Sequence, residues 1–182
     1  MGGYLIASRN PQLARADAAT VPGLATISAH PRQWRLTVLG QALAIVMTVG
    51  GLAVAATSLS SDAGIEARLT TLVFAVGAVL MLVYLGFHTT VTPNAPDGYE
   101  PRRRRFARLY RAYMVIAYLA FAHLGASFLF HHVVAVWIAW FLVVTGAFGA
   151  IAMIVRRPKI ADFPLWIHVI AGVLGAGLLS VH

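Results

Sequence analysis

The residues best suited to chemistry in this sequence are its seven histidines, because the long apolar stretches that hold several of them contain no Asp, Glu, Lys or Arg. An ionisable group inside a membrane is costly and often functional, and a neutral imidazole can ligate a metal or exchange a proton. The chain has no cysteine, which excludes disulfides, thiolate-held iron–sulfur clusters and covalent haem attachment through cysteine. Any metal or haem chemistry would therefore fall to histidine.

His88 and His168 are the candidate haem ligands. His88 ends one apolar stretch and His168 begins another, at depths that the rise of a helix makes similar. Two neutral imidazoles from facing helices can hold a b-type haem, and Gly172, one turn beyond His168, would leave room for a porphyrin. The competing interpretation is that His88 lies among the headgroups and His168 makes a hydrogen bond between helices.

His131, His132 and His182 are predicted to lie together at the opposite membrane surface. Three imidazoles with an open position suit Zn or Cu, and the nearby carboxylates Asp62 and Glu66 would orient them. Because neighbouring residues of a helix point in different directions, His131 and His132 can share one ion only across a non-helical turn. The alternative is a polar interfacial turn without metal.

His123 is predicted to lie alone near the middle of the membrane, where it needs a polar partner. Thr48, Thr145 and a backbone carbonyl are the expected candidates. An interhelical hydrogen bond would explain this histidine. The alternative is a contact with a proton or a quinone inside the bundle.

The elements that carry these residues are five uncharged apolar stretches, each long enough to cross about 30 Å of hydrocarbon. In lipid the backbone must satisfy its own hydrogen bonds, and the stretches lack the alternation of barrel strands, so each is predicted to be a helix. The sequence therefore predicts an all-α membrane protein with five transmembrane helices. The predicted spans are residues 36–59, 69–88, 112–130, 133–155 and 163–181.

The distribution of basic residues predicts the orientation of these spans. Thirteen of the fourteen lysines and arginines fall before span one, between spans two and three, or between spans four and five. Since cytoplasmic loops are rich in Lys and Arg, the N-terminus is predicted to be cytoplasmic and the C-terminus outside, in a bacterial-type cytoplasmic membrane.

Six arginines form the strongest basic cluster. They are expected to begin the third helix while still outside the hydrocarbon, where basic side chains meet anionic headgroups or an acidic partner surface. This location argues against nucleic acid as the ligand. The cluster comprises Arg102, Arg103, Arg104, Arg105, Arg108 and Arg111.

Residues 1–35 are predicted to form a cytoplasmic flap with a short helix that starts at Asn10 and Pro11. Glycines and alanines cluster in spans one, four and five. Small residues let helices approach closely in lipid, either within the chain or against another protein.

Three functions remain open on the sequence. The chain has no recognisable catalytic motif, so the leading hypothesis is a non-catalytic integral subunit of a larger membrane assembly, such as a respiratory complex. The second is a small b-type cytochrome that exchanges electrons with quinone through His88 and His168. The third is a channel or carrier for a small neutral solute.

Overall fold

The computed structural model describes residues 29–59, 62–90, 96–155 and 165–179. These ranges contain five α-helices and no strand, which confirms the predicted all-helical class. The helices are α1 (Pro31–Ser58), α2 (Asp62–Thr90), α3 (Pro96–His131), α4 (Val136–Val155) and α5 (Leu165–Leu179).

Four of the helices are long and apolar enough to cross a membrane, which is typical of an integral membrane protein. Their candidate spans are Pro31–Ser58, Asp62–Phe87, Ala107–His131 and Val136–Val155. α5 is apolar but has 15 residues, or about 22 Å at 1.5 Å per residue. The predictions of a fifth span and of the orientation remain predictions.

The first three helices begin earlier than the apolar stretches from which they were predicted. α1 starts at Pro31 and so includes the last five residues of the predicted flap; proline is favoured in the first turn, where its missing N–H costs no hydrogen bond. α3 has 36 residues and includes all six arginines of the basic cluster, as expected. The helix predicted near Asn10 lies outside the described residues.

The chain divides into two compact units. Unit 1 consists of Met1–Val46 and Met81–Tyr110, and unit 2 of Met47–Leu80 and Arg111–His182. In unit 1, the Tyr84 ring of α2 packs against the Tyr110 ring of α3, with centroids 5.1 Å apart. This contact attaches the arginine-bearing part of α3 to the end of α2.

Unit 2 has a core of aromatic rings from α2 and α3. Phe74 meets Phe121 edge to face at 5.6 Å and Tyr113 at 6.2 Å, and all three side chains are fully buried. Edge-to-face pairs of this kind contribute about 0.5–1.5 kcal/mol each beyond the burial of their surface.

Glycines bring α3 and α4 close together within unit 2. A Cβ atom at Gly146 would lie 2.6 Å from the backbone of Tyr118 and Ala122, and one at Gly149 would lie 2.5 Å from the Tyr118 ring. Gly125 meets Leu142 and the backbone of α4 in the same way. The predicted use of small residues for close helix packing is thus confirmed for span four.

Four other glycines of unit 2 make no such contact. A Cβ atom at Gly50, Gly51, Gly172 or Gly175 would meet nothing within 4 Å. The two glycines of α1 in unit 2 and two of the three glycines of α5 therefore border open space.

Candidate functional site

Within unit 2, His123 of α3 contacts a polar side chain of α2. Its Nδ1 lies 2.9 Å from Oγ1 of Thr70, and that hydroxyl donates a hydrogen bond to the Glu66 carbonyl at 2.9 Å. A hydroxyl has one proton, and when Thr70 donates it to the Glu66 carbonyl, Thr70 accepts from His123 and Nδ1 carries the ring proton. In the neutral ring Nε2 then bears a lone pair and acts only as an acceptor.

The side chain that contacts His123 in the structure is Thr70, which was not among the expected candidates. Thr48 lies near His168 instead, and Thr145 donates to the Phe141 carbonyl of its own helix. The predicted span two begins at Leu69, so the sequence places Thr70 at the membrane surface. α2 begins at Asp62, so Thr70 lies two turns inside the helix.

Polar residues continue from this pair toward the ends of α2 and α3. Nε2 of His131 lies 3.9 Å from Oε1 of Glu66, and both side chains are partly exposed. The Ser127 hydroxyl is buried and lies beside the Glu66 carboxylate. We call Glu66, Thr70, His123, Ser127 and His131 the polar ladder.

The ladder has a sequence signal that the search for motifs missed. Glu66 and Thr70 are four residues apart, and so are His123, Ser127 and His131 in turn. Residues spaced by four share one face of a helix. Two such series on neighbouring antiparallel helices predict a polar strip between them.

A groove of about 270 Å³ separates the C-terminal half of α1 from α5, within unit 2. Its walls are apolar apart from Thr48, whose Oγ1 lies 3.5 Å from Nδ1 of His168. At that length the contact is weak. The groove is lined by Met47, Thr48, Gly51, Leu52, Ala55, Ala171, Gly172, Leu174, Gly175 and Leu178.

Of the two predicted haem ligands, only His168 has a side chain that the structure describes. His168 is partly buried, next to the groove, and Gly172 borders the open space expected for it. His88 belongs to α2, but its side chain lies outside the described side chains. Joint ligation by His88 and His168 therefore remains a prediction.

The predicted metal trio is also incomplete. His182 lies outside the described residues, and within the described ranges no group of three histidines or carboxylates is placed to hold a metal ion. His132 has a φ of 53°, so the chain does leave the helix between His131 and His132. The His131 ring is directed toward Glu66.

The basic cluster is helical throughout. Arg108 and Arg111 are exposed, while the side chains of Arg102–Arg105 lie outside the described side chains. The exposure of Arg108 and Arg111 allows contact with headgroups or with an acidic protein surface.

No protein-family model, curated protein or solved structure matches this chain. Function therefore has to be inferred from the polar ladder, the groove and the exposed faces of the helices.

Proposed function

We propose that this chain is a non-catalytic integral subunit of a larger membrane assembly, and that it joins its partner through the groove between α1 and α5. The proposal includes five membrane spans, a cytoplasmic N-terminus and an external C-terminus in a bacterial-type cytoplasmic membrane. The six arginines then lie on the cytoplasmic side, where they contact anionic headgroups.

The contrast between two sets of glycines carries this proposal. A neighbouring helix occupies the space beside Gly125, Gly146 and Gly149. By contrast, an open groove is lined by Gly51, Gly172 and Gly175. Helices associate in lipid mainly through close packing at small residues. A second helix seated in the groove would give the open glycines the contacts that the others already have.

The low burial of α1 supports the same partner surface. Only 17% of its most apolar window is buried, compared with 56% for α3. Met47, on the groove wall, is 67% exposed. A transmembrane helix that contacts its own chain so little has most of its surface available to another protein.

Purification in mild detergent, with identification of co-eluting chains, tests the proposal. Gly51→Leu would fill the groove, and we expect it to reduce recovery of the partner at least tenfold. Gly50→Leu is the matched control, because Gly50 borders open space but does not line the groove. A wild-type chain that elutes alone, or equal losses with both variants, would contradict the proposal.

A small b-type cytochrome is the second candidate, favoured by the position of His168 beside the groove. Its Nδ1 faces Thr48, which leaves Nε2 available for iron. The reduced-minus-oxidised absorbance spectrum of the purified chain decides this candidate. We expect b-type bands that disappear in His168→Leu and persist in His30→Leu; a wild-type spectrum without bands eliminates it.

A further inference from the structure

We propose that Nε2 of His123 binds the hydroxyl of an aromatic ring dissolved in the membrane, the chemical class of the hydroquinones. The site consists of His123, positioned by Thr70, on the exposed face of α3. It is separate from the groove and does not depend on the proposed partner.

The fixed tautomer defines what the site can bind. Thr70 accepts a hydrogen bond from the Nδ1–H of His123 and donates one to the Glu66 carbonyl. Nε2 is therefore an acceptor, and within the described residues it has no hydrogen-bond partner. A hydroquinone offers an O–H donor, whereas the corresponding quinone offers only acceptors, so the neutral site should select the reduced form.

The depth of His123 in the membrane limits which hydroxyl groups can donate a hydrogen bond to its Nε2. His123 lies eight residues before the end of α3 at His131, or about 12 Å along the helix axis. Lipid headgroup hydroxyls lie at the membrane surface, outside the hydrocarbon. A ring that dissolves in hydrocarbon can bring a hydroxyl to this level.

The surface around His123 is apolar and has room for a ring. His123 is exposed, and its neighbours on the same face are Leu119, Ala126 and Phe130. Leu119 is 50% exposed and Phe130 is 87% exposed. The small side chain of Ala126, one turn from the imidazole, leaves space between these two larger residues.

The polar ladder favours a small ligand over a helix of another protein. A structural hydrogen bond to a partner helix needs no polar connection to the membrane surface. Here Glu66 and His131 extend from the site to partly exposed positions, and the buried Ser127 hydroxyl lies beside Glu66. Such a series suits a ligand whose hydroxyl proton exchanges with water.

The test uses the full chain, labelled with ¹⁵N-histidine, in phosphatidylcholine nanodiscs. Tetramethylhydroquinone is the probe, and tetramethylbenzoquinone is a control of the same shape without a donor. We expect the hydroquinone to shift the His123 Nε2 resonance in a saturable manner, and the quinone to leave it unchanged. Before any addition, the spectrum should show Nδ1 protonated and Nε2 unprotonated.

Three variants separate binding from folding. His123→Phe identifies the resonance and should abolish binding. Thr70→Val keeps the side-chain shape but removes the group that holds the ring proton on Nδ1. It should weaken hydroquinone binding by roughly 2- to 10-fold, the value of one hydrogen bond. Ala126→Leu should block the ring while leaving the His123 tautomer intact. Ala53→Leu, at an exposed position on α1, should change neither the binding of the ring nor the tautomer.

Several outcomes would overturn the proposal. Equal binding of the quinone would show that the site is not restricted to donors. A shift caused by phosphatidylglycerol alone would assign the donor to a lipid hydroxyl. Release of a co-purified chain by His123→Phe, without hydroquinone binding, would assign His123 to a protein interface; because Gly51→Leu tests the groove separately, the two proposals can fail independently.

Discussion

At the scale of single residues, Gly146 shows how little space separates α3 from α4. The backbone of Tyr118 and Ala122 passes 2.6 Å from where a Cβ atom would stand at Gly146. Backbone atoms cannot move aside as a flexible side chain can. One methyl group at this point must push the helices apart.

We therefore expect Gly146→Ala to lower the stability of the isolated chain by about 1–3 kcal/mol, the usual cost of overpacking. Gly172→Ala, at an open position, should leave stability unchanged or raise it slightly, since alanine is the better helix former. Reversible unfolding of both variants in the same detergent measures the difference. Similar stabilities would show that α3 and α4 are not in close contact.

The residue scale also shows what sequence reasoning achieves and where it stops. The need of His123 for a polar partner follows from the cost of an imidazole in lipid, and a partner is present. Its identity depends on where α2 begins, and the apolar stretch alone does not reveal that about two further helical turns, Asp62–Arg68, precede it. The ladder was nevertheless readable from the spacing of four between its members.

At the scale of elements, α3 is the helix that joins the arginine cluster to the buried core. Its cluster is attached to α2 through the packing of Tyr110 on Tyr84 in unit 1. Like charges along one helix repel, so a highly charged helix end depends on contacts of this kind. The order of this segment should depend on the tyrosine pair.

Tyr84→Ala is accordingly expected to speed amide hydrogen exchange in residues 101–110 severalfold, with little change in residues 113–128. Tyr84→Phe keeps the ring and should preserve protection. Hydrogen exchange followed by mass spectrometry measures both regions in one experiment. Unchanged exchange in Tyr84→Ala would mean that the cluster is held by other contacts.

At the scale of the whole molecule, composition and apolar length are sufficient for the class of fold. Uncharged stretches of about 20 residues have one stable solution in lipid, and four of the five predicted spans fall on helices long enough to cross it. Apart from the open space expected beside Gly172, the positions of the groove and of the open glycines could not be predicted. They depend on which small residues face a neighbouring helix, and the same residue types occur on both kinds of face.

Orientation is the property of the whole molecule that the arginines should control. Replacing Arg102–Arg105 by serine removes four of the basic residues assigned to the cytoplasmic side. We expect weakened or inverted topology, because the excess of basic residues sets which loops stay inside. Reporter fusions to the C-terminus measure it.

The control for this prediction replaces Arg68, which lies on the opposite side of the membrane in the proposed topology, and should not disturb the orientation. Unchanged topology after loss of Arg102–Arg105 would show that the cluster does not set the orientation, and its role would then be limited to lipid or protein binding.

The continuous length of α3 divides its arginines into two groups by distance. Measured along the axis from His131, Arg111 lies at about 30 Å and Arg102 at about 44 Å, at 1.5 Å per residue. A bilayer with its headgroups is about 40–45 Å thick. If α3 continues straight and crosses upright, Arg111 therefore meets the hydrocarbon boundary, while Arg102–Arg105 lie at the outer edge of the headgroups. Added salt should weaken the interactions of the outer four first, since a Debye length of about 8 Å already screens exposed charges in physiological salt.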